Sequence, residues 1–302
     1  MMKKRGLSTN FLSELKDGYL QPLVDYVKQD ETLFFAIREN YINIYYRGGN
    51  LLKVESGATN TYWATFDTNY FKDSIIKLPS QTLSNKEQVL SWIEIFPSLK
   101  HEMDVFFSKK SKLEREFQQL VARENSYSTI SNATDYFIVD IEYAADNARF
   151  DMIAIKWISN GTARRKINSC KLALIEMKYS DGALTGTSGI HKHIRDIEKI
   201  SQSDMVILKE GAVNCFKQLR DLGLIKFSKT GNPHQIDELT DELPEFILVL
   251  ANHDPASSIL KGALETMPPL TNAELKFAVA NFMGYGLFDE GMKNLKDFLK
   301  LL

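Results

Sequence analysis

Residues 172–179 read LALIEMKY, and this run constrains the fold more than any other in the chain. It has the make-up of a buried strand, in which successive side chains alternate between faces. Leu172, Leu174, Glu176 and Lys178 then share one face, and Ala173, Ile175 and Met177 the other. The shared face starts apolar and turns charged at the strand's C-terminal end. Burying either charge without a partner is costly, so Glu176 and Lys178 either neutralise each other or hold something between them.

The surrounding pattern predicts an α/β sandwich around a mixed sheet, because the order is helix, three strands, helix, strand, helix. KKSKLEREFQQLVAREN (109–125) carries an apolar helical stripe at Leu113, Phe117, Leu120 and Val121. YFIVDIEY and ARFDMIAIKW follow as a hairpin with Asp146-Asn147 in its turn, and CKLALIEMKY is the third strand. The Gly/Ser/Thr-rich loop SDGALTGTSG leads into a helix, IHKHIRDIEKI, continuing toward residue 222. EFILVLAN is a fourth strand, and the tail from Ala273 reads as two helices broken at Gly284–Gly286.

Upstream lies a different pattern. Residues 9–29 predict a helix interrupted near Gly18 and Pro22, and LFFAIRENYINIYYRGGNLLKVE predicts an antiparallel meander extended by TYWATF. The 85–107 stretch is helical, with Pro97 expected to end or kink it. These features place a boundary near 107, giving an N-terminal α+β module (1–107) and a second domain (108–302).

The chain has 302 residues, 44% of them hydrophobic and 25% charged, which suits a globular protein with a substantial core and excludes the disordered and miniprotein classes. Its two cysteines, Cys170 and Cys215, lie far apart without a CxxC pattern, so neither a disulfide framework nor a zinc finger is indicated. The N-terminus lacks an apolar signal core and no stretch is long enough to span a membrane, so a cytoplasmic location is expected. A net charge of −2 argues against coating nucleic acid with the whole surface but permits local basic tracks such as Lys109–Arg115, Arg164–Lys166 and Lys192–Arg195.

The chemistry gathers around the third strand. Asp151 is the single acid in RFDMIAI and shares its face with Ile153 and Ile155, which puts it within reach of Glu176 on a neighbouring strand. Two carboxylates supply the hard oxygens that Mg²⁺ prefers, and an ammonium beside them orients or deprotonates an attacking water. Glu116, closer than Arg115 to the buried stripe of its helix, is the first choice for a further acid, ahead of Glu114.

Asp151 followed by Glu176-Met177-Lys178 at the end of an apolar strand, after an acidic helix and before a polar one, resembles the PD-(D/E)XK, or restriction-endonuclease-like, nuclease superfamily. The resemblance covers residues 109–260 and departs from the family pattern where Phe150 replaces a proline. It implies a three-layer α/β/α core and a Mg²⁺-dependent nuclease, with Mn²⁺ able to substitute, acting on DNA in phage defence, restriction or repair. Asp151 and Glu176 would bind the metal, Lys178 would act on the water and Glu116 would assist. Lys192, His193 and Arg195 on the following helix would contact substrate. Many enzymes resembling this one are dimers, so a homodimer is compatible.

Other readings compete. Glu176 and Lys178 can be an ion pair at a strand end, and the alternative function is a non-catalytic nucleic-acid-binding or protein-interaction module that keeps the fold. Asp140 and Glu142 are expected on the solvated side of the hairpin, with Asp140 kept as an extra ligand. His253-Asp254 is read as turn chemistry, and Cys170 as a small buried thiol.

Overall fold

The computed structural model describes residues 4–301 apart from 59, 72–75, 129–130, 132, 146–147, 226–234, 255–256 and 281–283. The chain forms two compact units. One comprises Arg5–Gln119 with Lys217–Ile225, the other Leu120–Phe216 and Lys226–Leu302 with Met1–Lys4. Together they make a mixed α/β protein with one antiparallel and one mixed sheet.

In the N-terminal unit α1 (Thr9–Lys16) starts where the Ser8 hydroxyl accepts from the Phe11 N–H, and α2 (Gln21–Gln29) begins with Pro22 in its first turn, where a missing N–H costs nothing. A five-stranded antiparallel sheet follows in chain order: β1 (Leu33–Ile37), β2 (Tyr41–Tyr46), β3 (Gly49–Ser56), β4 (Tyr62–Thr65) and β5 (Thr82–Leu83). Between β2 and β3, Arg47 (φ 49°) and Gly48 (φ 73°) both take the left-handed conformation of a two-residue hairpin turn. Gly48 is required there for a second reason, since a Cβ would stand 2.5 Å from the Arg115 carbonyl oxygen.

The predicted boundary at 107 falls inside α3 (Lys86–Lys109), and the division between units falls within α4 (Leu113–Glu124). Pro97 does not end α3. It lies on the exposed side, where the carbonyl it leaves unpaired can face water, while Trp92, Phe96, Leu99, Met103 and Phe107 bury the other side.

The second unit holds the mixed sheet, ordered β10-β9-β8-β7-β6. The meander of β6 (Tyr136–Ala145), β7 (Ala148–Lys156) and β8 (Lys171–Tyr179) is antiparallel. The predicted turn residues Asp146 and Asn147 lie outside the described residues. Strand β9 (Glu245–Ala251) pairs parallel to β8, and β10 (Glu274–Ala280) parallel to β9. Parallel neighbours need a long crossover, supplied by α5 (Ile190–Glu198) and α6 (Gln202–Asp221), and then by α7 (Ser258–Glu265); α8 (Leu295–Leu299) ends the chain.

The expected first tail helix is thus corrected to a strand. ELKFAVA is rich in helix formers, yet it pairs with β9 from Glu274↔Glu245 to Ala280↔Ala251. Completing the sheet edge outweighs a propensity of a few tenths of a kcal/mol per residue. Among the described residues no helix is long and apolar enough to cross a membrane.

Candidate functional site

Strand β8 is buried from Lys171 through Lys178. Only 3% of Glu176 and 3% of Lys178 is exposed, and the Lys178 ammonium donates to Glu176 Oε1 at 2.7 Å. The two side chains do share a face, as strand alternation requires. A third group joins them from α5: His193 Nε2 lies 2.9 Å from the same Oε1, 3.2 Å from Lys178 Nζ and 3.2 Å from the Ser188 carbonyl oxygen.

Two of its three neighbours, Glu176 Oε1 and the Ser188 carbonyl oxygen, are acceptors, which assigns a ring proton to Nε2 as a donor to Glu176. Lys178 and His193 are then two donors on one carboxylate oxygen. Glu176 Oε2 takes no hydrogen bond among the described residues.

Asp151 enters from β7. The register pairs Met152 with Ile175, so its next step sets Asp151 opposite Glu176. The Asp151 carboxylate is half-buried and accepts from the Met177 N–H at 2.8 Å, which ties it to the middle of the Glu-Met-Lys run. On the other side, the flanking pairs Ile141↔Met152 and Tyr143↔Phe150 place Glu142 across from Asp151. Glu142 takes a left-handed backbone conformation, φ 52°, beyond the register shift that β6 makes between Ile138 and Asp140. The sequence signal for it was only its even spacing from Asp140.

Asp140 itself is a correction. It is 1% exposed, and its Oδ1 accepts from the Ile141 N–H, so it is a buried acid with a backbone partner instead of part of a solvated face.

Glu116 sits in the N-terminal unit, where Arg47 donates to both of its oxygens at 2.9 and 3.2 Å and also to Asp104 at 2.8 Å. A role in catalysis would require that fork to open. Lys192 and Arg195 are exposed on α5, and Lys192 is ion-paired with Asp196 one turn on. His253 is half-buried after β9; burial lowers its pKa, and Asp181 and Asp254 oppose that shift. Cys170 is buried, which pushes its thiol up to about 12.

A second charged cluster, which the sequence reading missed, gathers at the opposite end of the sheet. Glu245 at the start of β9 is 1% exposed and receives Lys156 (2.9 Å), Lys276 (2.7 Å) and the Tyr136 hydroxyl (2.6 Å). Asp289 takes Lys156 at 2.6 Å as well. Burial would raise the Glu245 pKa, but these donors outweigh it and hold the carboxyl below its ordinary value; the same balance lowers Asp289. Their signal is scattered across β6, β7, β9 and β10, so nothing in the linear order announces it.

Mg²⁺ is commonly held by one or two carboxylates, with waters and substrate phosphates completing its shell. Glu176 Oε2 and the neighbouring Asp151 carboxylate fit that incomplete kind of site. An all-protein cage is not present: among the described residues no group of three or more His, Cys, Asp or Glu side chains is placed to hold a metal ion. No family model, curated protein or solved structure matches the chain.

Proposed function

We propose that the chain is a Mg²⁺-dependent nuclease that hydrolyses phosphodiester bonds in DNA, with a three-layer restriction-endonuclease-like core in its second unit. One observation carries the reading: a buried strand ends in Glu176 and Lys178, and Asp151 on its antiparallel neighbour is hydrogen-bonded between them at Met177. The order of three antiparallel strands, a helical crossover and a parallel strand supports it.

Glu176 and Asp151 would hold the cation. When bound, Mg²⁺ supplies positive charge against the phosphate oxygen on which negative charge builds. Lys178 then holds the attacking water in line with the phosphorus, and Glu176 Oε1 keeps the ammonium aimed while His193 fixes that oxygen from the other side. The water oxygen bonds to phosphorus as the P–O bond to the leaving strand breaks; one of the water's protons reaches the leaving oxygen by way of solvent, and the other is released when the new phosphate monoester ionises. This work is positioning and charge stabilisation, which is what phosphoryl chemistry asks of a protein.

The test is incubation of the full chain with supercoiled and single-stranded DNA, with and without Mg²⁺ or Mn²⁺. Cleavage that needs the metal and disappears in Asp151→Asn supports the reading; metal-independent or absent cleavage removes it.

One feature favours a second reading, a non-catalytic nucleic-acid-binding module. Glu176, Lys178 and His193 satisfy one another with little exposure, as a structural ion pair would. DNA binding with no cleavage under any divalent ion would decide for it.

A further inference from the structure

On the sheet face opposite that of Glu176 and Lys178, charges of like sign stand side by side. Lys156 of β7 is paired in register with Lys171 of β8, and Glu245 of β9 with Glu274 of β10. Ala173, the next residue of β8 on the Lys171 face, is paired with Glu245, so the lysines and the glutamates share that face. Like charges directly opposite destabilise a sheet. Here two such pairs follow one another across adjacent strands, positive on β7 and β8, negative on β9 and β10.

Neutralisation comes from one strand further on. Lys156 of β7 bonds Glu245 of β9 at 2.9 Å with β8 between them, and Lys171 of β8 bonds Glu274 of β10 at 2.8 Å with β9 between them. The two halves of this network are closed to different degrees. Glu245 is buried and receives Lys156, Lys276 and the Tyr136 hydroxyl. The acids around Lys171 are open: the Glu274 side chain is 48% exposed, and that of Glu242, 3.4 Å from the ammonium, is 70% exposed. Glu274 Oε2 accepts no hydrogen bond among the described residues.

These groups line a cavity of about 360 Å³, roughly twelve times the ≈30 Å³ share of one water. Its charged lining is Lys156, Lys171, Lys276, Glu242, Glu245 and Glu274, three of each sign. A simple anion or cation entering such a space leaves one sign uncompensated, and burying an uncompensated charge is costly. A ligand with both charges avoids this, because it can enter the Lys171–Glu274 pair and replace one ion pair with two. Ile158 and Ala163 at the wall offer apolar surface to the rest of the molecule.

We infer that this cavity binds a small zwitterion of the free amino acid class, with its carboxylate on Lys171 and its ammonium on Glu274 and Glu242. The site is separate from Glu176 and does not depend on the nuclease reading.

The experiment is calorimetric titration of the full chain, without nucleic acid, with each of the common L-amino acids in turn up to millimolar concentration. At least one is expected to bind. Its deaminated acid and its decarboxylated amine are each expected to bind about tenfold more weakly, since each lacks one charge-assisted contact. Lys171→Met should weaken the amino acid about tenfold without weakening the amine, and Glu274→Gln should weaken it similarly without weakening the acid. Neither change strands a buried charge: the acids around Lys171 are exposed, and Lys171 keeps Glu242 when Glu274 is replaced. Urea unfolding checks that both variants fold, and the analogue series in wild type decides the matter should either fail to.

No binding of any amino acid overturns the inference, and binding of inorganic phosphate in their place would make this an anion site. Analogues that bind as tightly as the amino acid, or unchanged affinity in either folded variant, overturn it as well.

Discussion

Replacing Glu176 or Lys178 with methionine separates a buried pair from a surface one, because both side chains are only 4% exposed. At 2.7 Å their Coulomb attraction is about 6 kcal/mol at an effective dielectric of about 20, most of it offset by desolvation. What matters is the asymmetry, since removing one partner of a buried pair costs about 3–5 kcal/mol by leaving the other charge alone.

His193 sets the order within that range. In Lys178→Met the Glu176 carboxylate keeps the His193 N–H at 2.9 Å, so the loss falls near about 3 kcal/mol. In Glu176→Met both Lys178 and the His193 N–H lose their shared acceptor, and the loss approaches about 5 kcal/mol. The double methionine variant removes both charges but still takes the Glu176 acceptor from His193, so it recovers most of the Glu176→Met loss and stays about 1–3 kcal/mol below wild type.

Hydrogen exchange of the β7 and β8 amides reads this in the unit that carries the pair. The Lys178→Met loss corresponds to at least a hundredfold faster exchange through global opening, at about 1.4 kcal/mol per tenfold. Unchanged exchange in both single variants would refute the buried pair. A larger loss in Lys178→Met than in Glu176→Met would refute the assignment of the His193 proton.

Asp151→Asn keeps an acceptor for the Met177 N–H but loses its charge, so it should unfold like wild type within about 1 kcal/mol while cleavage falls about a hundredfold or more; Asp151→Ala should lose both stability and cleavage. Glu116→Gln weakens a partly exposed fork to Arg47 and should cost only about 0.5–1 kcal/mol in urea unfolding, and cleavage should persist. Glu245 and Asp289 have pKa values held below their ordinary 4.5 and 3.8, so the folded form binds fewer protons than the unfolded one in that range. Their contribution is present above those values and is lost as pH falls through the depressed ones; the acid limb of a stability–pH profile should flatten in Lys276→Met. Cys170, with its thiol pushed up to about 12 by burial, should resist thiol reagents at neutral pH until the protein is unfolded.

The local parts of this molecule were written in the sequence. Alternating apolar runs specified β1 to β4 and the β6–β9 strands, the Glu176–Lys178 face followed from the two-residue period of a strand, and Asp151 stood out as a lone acid in an apolar run. Such features depend on neighbours a few positions apart, and the chain's chemistry decides them before it folds. The tertiary structure decided what depends on distant partners. Residues 274–280 became a strand because β9 offered an open edge, α3 ran through Pro97 because its other face was buried, and Glu116 was engaged by an arginine 69 positions away. The same holds at the site. That Glu176 is shared by Lys178 and His193, with Asp151 tied to the Met177 amide between them, is a matter of sheet register and helix placement. No period in the sequence records either, because both are set by packing between elements far apart along the chain.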